Sequence, residues 1–141
     1  MLSRALLRSA HPPYGPVVPP YGLVMVDVGA LTFDAADPAR LAGFWAAVLG
    51  REARPGRVLP GVMVVPRALG DVPMLFLPVP EPKTAKNRCH PDLHTDDLTG
   101  ELDRVLGLGA EEVERQDGPA GRWVVLRDVE GNEFCLVEDE D

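Results

Sequence analysis

The sequence contains one run with a complete helical pattern, Asp37-Pro38-Ala39-Arg40-Leu41-Ala42-Gly43-Phe44-Trp45-Ala46-Ala47-Val48-Leu49-Gly50. Its large apolar side chains recur at the spacing of one helical face: Leu41, Phe44, Trp45, Val48 and Leu49. Asp37 is a favoured N-cap residue before Pro38 in the first turn, and Gly50 stands where a left-handed cap ends a helix. The run therefore predicts an amphipathic helix with both ends defined.

A second helical pattern follows at an interval of 59 positions, counted from Asp37 to Asp96. Asp96 or Asp97 caps this helix, and Gly107 and Gly109 end it. Its apolar face consists of Leu98, Leu102, Val105 and Leu106. Because both patterns span thirteen positions from aspartate to glycine, the sequence predicts a duplicated module rather than a solenoid, which needs more copies.

Short extended segments surround the two helices. Apolar and β-branched residues predict strands at 24–33, 52–54, 62–65 and 74–79, and again at 111–116, 123–127 and 133–138. A turn over 128–132 joins the last two strands. A further strand is expected just before the second helix. Each half of the chain is then predicted to contain a strand, a helix and three strands. The pattern predicts an α+β fold of two βαβββ modules whose curved mixed sheets enclose a cleft.

Length and composition limit the class of protein. The chain has 141 residues, 45% of them hydrophobic, and a formal net charge of -8. This acidity repels phosphate backbones and excludes nucleic acid as a partner, and no apolar run reaches the roughly eighteen residues of a membrane span. Two cysteines do not make a disulfide scaffold, which indicates a reducing cytoplasmic location.

Residues 1–22 differ from the remainder of the chain. They carry Arg4 and Arg8, no acidic residue and five prolines between positions 12 and 20. This composition predicts a disordered, basic, proline-rich extension. The folded domain is then expected over 23–141, with its modules at about 24–80 and 87–138.

The polar centre of the sequence lies in residues 78–97. Prolines exclude a helix or a central strand from its first part. His90, Asp92 and His94 alternate in its second part, so an extended backbone would turn all three to one face. They are either a metal or acid–base cluster, or packed, paired and solvated side chains. One ion could recruit at most two of them, since alternate strand residues are about 6–7 Å apart.

Four segments stand in order at characteristic spacings: Asp37-Pro38-x-x-Leu41-Ala42-x-Phe44-Trp45-x-x-x-Leu49-Gly50, Val79-Pro80-Glu81-Pro82-Lys83-x-x-Lys86-Asn87-Arg88-x-His90-x-Asp92-Leu93, Leu108-Gly109-Ala110 and Gly131-Asn132-Glu133-Phe134-Cys135. Through them the chain resembles the vicinal oxygen chelate superfamily, and within it the glyoxalase-like domains of the glyoxalase, bleomycin-resistance and dioxygenase group. The resemblance implies the paired βαβββ modules already predicted. It also implies homodimers, because modules of this superfamily often complete their clefts by pairing.

Metal-dependent members of that superfamily hold one ligand on the first and last strand of each module. By resemblance, these positions are Ala30, a position near Leu77, His90 and Cys135. Alanine and leucine cannot ligate a metal, and a cysteine stands where a glutamate is usual. The expectation is therefore that the chain holds no metal and no other cofactor.

The candidate ligand-binding residues are Lys86, Arg88, His90, Asp92, Trp123, Glu133 and Cys135. His90 is also the candidate catalytic residue, as a general base that needs no metal. The basic residues of the loop could attract an anionic ligand or be solvated. Trp123 could line a ligand pocket, Glu133 could be a cleft carboxylate or solvated, and Cys135 could be a small buried residue instead of a ligand.

These residues favour a glyoxalase-like domain that binds a small molecule in its cleft, as a sequestering protein does. A metal-dependent lyase or dioxygenase is the alternative, and an interaction domain with an unused cleft is a third possibility. The absence of metal-ligating side chains at two family positions argues against the metal-dependent enzyme. The polar residues around His90 argue against an interaction domain with an unused cleft. Whether the chain catalyses a reaction is left open by the sequence.

Overall fold

The computed structural model describes residues 28–68 and 70–139. Within these ranges the chain forms ten elements: β1 (Leu31–Ala35), α1 (Pro38–Leu49), β2 (Arg54–Pro55), β3 (Met63–Val65), β4 (Met74–Pro78), β5 (Asp92–Thr95), α2 (Leu98–Gly107), β6 (Glu111–Gly118), β7 (Gly121–Arg127) and β8 (Glu133–Glu138). Neither helix is long and apolar enough to cross a membrane.

The strands form two four-stranded sheets with the same order. The N-terminal sheet runs β1-β4-β3-β2 and the C-terminal sheet runs β5-β8-β7-β6. In each, the first strand of the module pairs in parallel with its last strand, and the other pairs are antiparallel. The prediction of an α+β fold built from two βαβββ modules is confirmed.

Helix α1 has the ends that the sequence predicts. The Asp37 carboxylate accepts a hydrogen bond from the Arg40 amide at 3.0 Å, which satisfies one of the free N–H groups of the first turn. Gly50 follows the helix with φ of 63°, a conformation that glycine adopts without a steric penalty. In α2 the cap is Asp97, which accepts from the Gly100 amide at 2.9 Å.

Most predicted strands differ from the observed ones at their boundaries, and two of these differences matter for the site. Among the described residues β1 starts only at Leu31 and continues to Ala35, whereas the sequence predicted a strand over 24–33; residues 24–27 lie outside the described part. The strand is longer at its end because Asp34 and Ala35 pair with Leu77 and Pro78 of β4. Neighbouring strands therefore override the local pattern.

The second wrong boundary moves His90 off its predicted strand. Strand β5 begins at Asp92, and the residue before it, Pro91, has no N–H to give to a ladder. The Pro91 carbonyl still accepts the Cys135 amide at 3.0 Å. His90 consequently belongs to the preceding loop rather than to a common face with Asp92 and His94.

One hydrophobic core serves both modules, and Trp45 of α1 lies at its centre. Its indole ring is fully buried and lies 5.7 Å from the Phe33 ring in β1 and 5.0 Å from the Phe134 ring in β8. The indole N–H also donates to the buried Asp128 carboxylate at 3.0 Å. A single residue of the first module thus makes apolar and polar contacts with the second.

The turn between β7 and β8 holds the start of α1. Asp128 in this turn accepts hydrogen bonds from the Glu130 and Asn132 amides at 2.9 and 3.0 Å. The Glu130 carboxylate in turn accepts from the amides of Ala36 and Asp37 at 2.7 and 3.0 Å. A carboxylate is favoured there because helix N-termini carry partial positive charge.

Arg104 of α2 holds the other end of α1. Its guanidinium donates to the Ala47 and Val48 carbonyls at 3.0 and 2.8 Å. These carbonyls belong to the last turn of the helix, where the regular helical donors are missing, and that of Ala47 also accepts the Gly50 amide at 3.3 Å. Both ends of α1 are therefore fixed by the C-terminal module.

We predict that Trp45→Ala lowers the free energy of unfolding by about 3–5 kcal/mol, because it empties a large aromatic site in the shared core. Trp45→Phe keeps a ring there and removes the indole donor, so its cost should be smaller, about 1–3 kcal/mol. Urea unfolding followed by circular dichroism measures both. Trp123→Ala, at a partly exposed position, is the control; a Trp45→Ala loss below about 1 kcal/mol would contradict the described core.

Candidate functional site

The candidate site lies on the face of the C-terminal sheet that is turned away from the shared core. Successive strand residues point to opposite faces, and Val124, Leu126, Phe134 and Leu136 belong to the core. The opposite face, called the open face below, carries the intervening residues: Trp123, Val125 and Arg127 of β7, and Glu133, Cys135 and Val137 of β8. The edge strand β5 adds Asp92 and His94 by the same alternation.

Loop 79–91 covers part of the open face through Glu133. The Glu133 carboxylate accepts the Asn87 amide at 2.9 Å and lies 3.2 Å from the Lys83 ammonium. Only 6% of Glu133 is exposed. Burial raises the pKa of its carboxyl, but the hydrogen bonds from Asn87 and Lys83 outweigh burial and hold that pKa below its ordinary value. Glu133 is therefore an ionised anchor for the loop.

Three polar side chains meet where the loop enters β5. The His90 Nδ1 atom is 3.1 Å from the Asp92 carboxylate and 4.0 Å from the Cys135 sulfur. Asp92 and Cys135 stand opposite each other in the parallel pairing of β5 with β8. Potential ligand atoms of the three residues all lie within 4.8 Å of one another. His90 and Asp92 are exposed and Cys135 is buried.

The environment of Cys135 keeps its thiol protonated. Burial is the largest cause that raises the pKa of this thiol, to about 11, and the neighbouring Asp92 carboxylate raises it further by charge and by hydrogen bonding. Lys86 acts in the opposite direction. At neutral pH the cluster therefore contains a protonated thiol beside His90 and Asp92.

The structure joins some of the predicted site residues and separates others. The charge of Lys86 lowers the pKa of the Cys135 thiol, and Trp123 lies on the same face as Cys135, paired with Val137. Arg88 is exposed in the loop and makes no ion pair within the described residues. His94 is not part of the cluster, because its ring bonds to the Asp139 carboxylate at 3.0 Å.

The candidate site residues near loop 79–91 line different cavities. A cavity of about 420 Å³ is lined by Lys86, Val125 and Glu133 among others. His90 lines a different cavity of about 450 Å³, which extends towards β1. The candidates therefore do not line one common pocket: Lys86 and Glu133 line one cavity and His90 lines the other.

Sequence reasoning missed Arg127 and Asn87. Arg127 borders the cavity of Lys86 and lies 3.8 Å from the Glu133 carboxylate; its alternation with Trp123 along the predicted strand was the available signal. Asn87 contributes through its backbone amide, which residue type does not reveal.

The metal positions implied by the fold family do not fit this chain. Two of the four, Ala30 and Leu77, offer only hydrocarbon side chains. His90 and Cys135 remain, and Asp92 adds an oxygen donor beside them. Nitrogen, oxygen and sulfur donors of these types are accepted by zinc, but they form a three-residue set on one module and not the four-ligand set of the family.

Comparison with known proteins identifies the class. Crystal structures with the same architecture include the fosfomycin resistance protein FosX from Listeria monocytogenes, at 12% identity over 83% of this chain and 96% of that chain, with a TM-score of 0.67. A glyoxalase/bleomycin resistance protein/dioxygenase family enzyme from Burkholderia phytofirmans matches at 14% identity over 80% and 98%, with a TM-score of 0.67. A superfamily member from Sphaerobacter thermophilus matches at 19% identity over 83% and 100%, with a TM-score of 0.65.

At these identities the likeness concerns the fold, which is that of the glyoxalase/bleomycin resistance/dioxygenase, or vicinal oxygen chelate, superfamily. The model of the glyoxalase-like domain family matches residues 30–137, and the chain belongs to this family. No curated protein matches the sequence significantly.

We predict that Cys135 reacts slowly with a disulfide reagent at neutral pH, since the thiolate is the reactive form. In Cys89→Ser, which removes the exposed thiol, the rate should still be rising at about pH 10, above the ordinary cysteine pKa of about 8.5. Adding Asp92→Asn should lower the pKa of Cys135 and accelerate the reaction, because a neighbouring negative charge is lost. Asp117→Asn on β6 is the control. An unchanged profile in the Asp92 variant would contradict the assigned contact.

Proposed function

We propose that this glyoxalase-like domain binds a small organic molecule on the open face of the C-terminal sheet, without the metal site of its superfamily. The observation that carries the proposal is the convergence of loop 79–91 and the His90, Asp92 and Cys135 cluster on one side of a partly exposed apolar face. Pockets of this kind combine apolar walls with a few polar groups that orient the ligand.

The residues divide the task of binding by their chemistry. Trp123 and Val125 offer a partly exposed apolar surface against which a flat ligand can stack. Lys86 supplies a positive charge for an anionic ligand group, since no carboxylate in the described residues is paired with it. His90 can donate or accept a hydrogen bond at the edge of this surface, and in a reactive ligand it is the group that could take up a proton.

A second candidate function is that of a metal-dependent lyase or dioxygenase. One observation favours it, namely the three donor atoms of His90, Asp92 and Cys135 within 4.8 Å of one another. Against it stand the two hydrocarbon side chains at family ligand positions. The content of bound metal separates the two candidates.

We predict that the purified protein retains an anionic small molecule from a metabolite extract, detectable by mass spectrometry after removal of unbound material. His90→Ala should abolish retention, because it removes the polar group at the edge of the open face. Asp103→Ala, on an exposed part of α2 away from the open face, is the control.

Elemental analysis of the same samples tests the absence of metal. The expected content is less than about a tenth of an equivalent of zinc, nickel, manganese or iron, as for weak sites with few ligands. If the protein contains stoichiometric metal and His90→Ala does not, the result would favour the second candidate function, that of a metal-dependent lyase or dioxygenase. Retention that survives in His90→Ala would contradict the binding site proposed above.

We also propose that the chain is a homodimer. The open face leaves Trp123 partly exposed, and β6 is a fully exposed edge strand of eight residues, which pairing with a second copy would cover. Light scattering at micromolar concentration should give about twice the chain mass of 15.3 kDa. A mass near 15.3 kDa would contradict the dimer.

A further inference from the structure

A separate groove runs along the seam between the two modules. It has a volume of about 740 Å³ and is bounded by β1 and α1 on one side and by β5 and α2 on the other. We call it the seam groove. Its volume lies within the range of small-molecule sites, and it is larger than either cavity beside loop 79–91. It shares Asp92, but none of the other proposed binding residues, with the open face.

The floor of the seam groove is apolar. Trp45, Val48 and Leu136 lie beneath it, but all three are buried in the shared core. The apolar surface open to a ligand therefore includes the partly exposed Leu49 and Val72. Leu31 and Leu93 continue the apolar lining towards the partly exposed edges of β1 and β5. A planar or branched hydrocarbon body would gain hydrophobic burial against such a floor.

The rim of the seam groove is acidic. Five carboxylates and one guanidinium, that of Arg104, line the cavity. Two carboxylates are paired with arginine, Asp71 with Arg51 and Glu101 with Arg104. The other three, Asp92, Asp96 and Asp139, have no lysine or arginine partner within the described residues. Asp92 and Asp139 are bonded to the rings of His90 and His94, respectively.

This charge distribution is opposite to that of the loop beside the open face. Lys86 and Arg88 carry positive charge there without a carboxylate partner in the described residues, while Lys83 is paired with Glu133. In the seam groove Asp96 and Asp139 contribute negative charge. Carboxylates around an apolar floor attract cations and disfavour anions. The two regions therefore select ligands of opposite charge.

We propose that the seam groove is a second binding site, which accepts a small molecule with an apolar body and an ammonium group. The body lies against the partly exposed Leu31, Leu49 and Leu93, and the ammonium lies near Asp96 and Asp139 at the rim. This inference does not depend on the function proposed for the open face, because it rests on a different cavity and a different charge.

The test uses three probes with the same ring system: 2-naphthylmethylamine, the neutral 2-naphthylmethanol and the anionic 2-naphthoate. Calorimetric titration at low salt should give the tightest binding for the amine and the weakest for the carboxylate. Asp96→Asn and Asp139→Asn should each weaken binding of the amine by about two- to fivefold, the range measured for exposed charge pairs. Added salt should also weaken it.

Two controls locate the site. Asp103→Asn makes the same change of charge on an exposed part of α2 outside the groove and should leave binding of the amine unchanged. Lys86→Ala should likewise leave it unchanged, since Lys86 lies by the other cavity.

Several results would overturn the proposal. Equal affinity for the amine and the carboxylate would show that charge does not select the ligand. Unchanged affinity for the amine in both Asp96→Asn and Asp139→Asn would show that the amine does not bind in the seam groove. Loss of amine binding in His90→Ala would assign the probe to the open face. Binding only to a chain that begins at Gly22 would make the basic N-terminal segment the occupant of the groove.

Discussion

The hydrogen bond from the Trp45 indole to the Asp128 carboxylate is the interaction on which the arrangement of the two modules depends. Asp128 also organises the turn between β7 and β8, and Glu130 of that turn holds the start of α1. The buried carboxylate is satisfied by the indole, by backbone amides and by the Asn132 side chain. Because an unsatisfied buried carboxylate is costly, this network permits one relative placement of helix and turn.

The same architecture explains why polar groups collect at one edge of the C-terminal sheet. Parallel pairing of β5 with β8 sets Asp92 opposite Cys135, and Pro91 ends the ladder so that His90 can turn back towards both. Glu133 lies two residues before Cys135 on the same face of β8, and it holds the covering loop through Asn87 and Lys83. The cluster is thus a consequence of module topology combined with one proline.

Much of the fold could be predicted from the sequence because its evidence is local. The caps at Asp37 and Gly50 and the apolar face with Trp45 act within a few residues, and the repeat of the pattern implied the second module. The register of β1 and the position of His90 depend on partners distant in the sequence, so periodicity could not reveal them. The site was predicted only in part for the same reason: residue types near His90 were informative, whereas the partner of Cys135 and the seam groove arise from packing between modules.

The attachment of α1 at both ends bears on how the protein loses its structure. Glu130 holds one end of the helix and Arg104 the other, so the N-terminal module cannot open without breaking contacts of the C-terminal one. Duplicated modules joined only by a linker would unfold independently, in separate steps. Here the shared helix ties them into a single cooperative unit, and local opening of one module alone is suppressed.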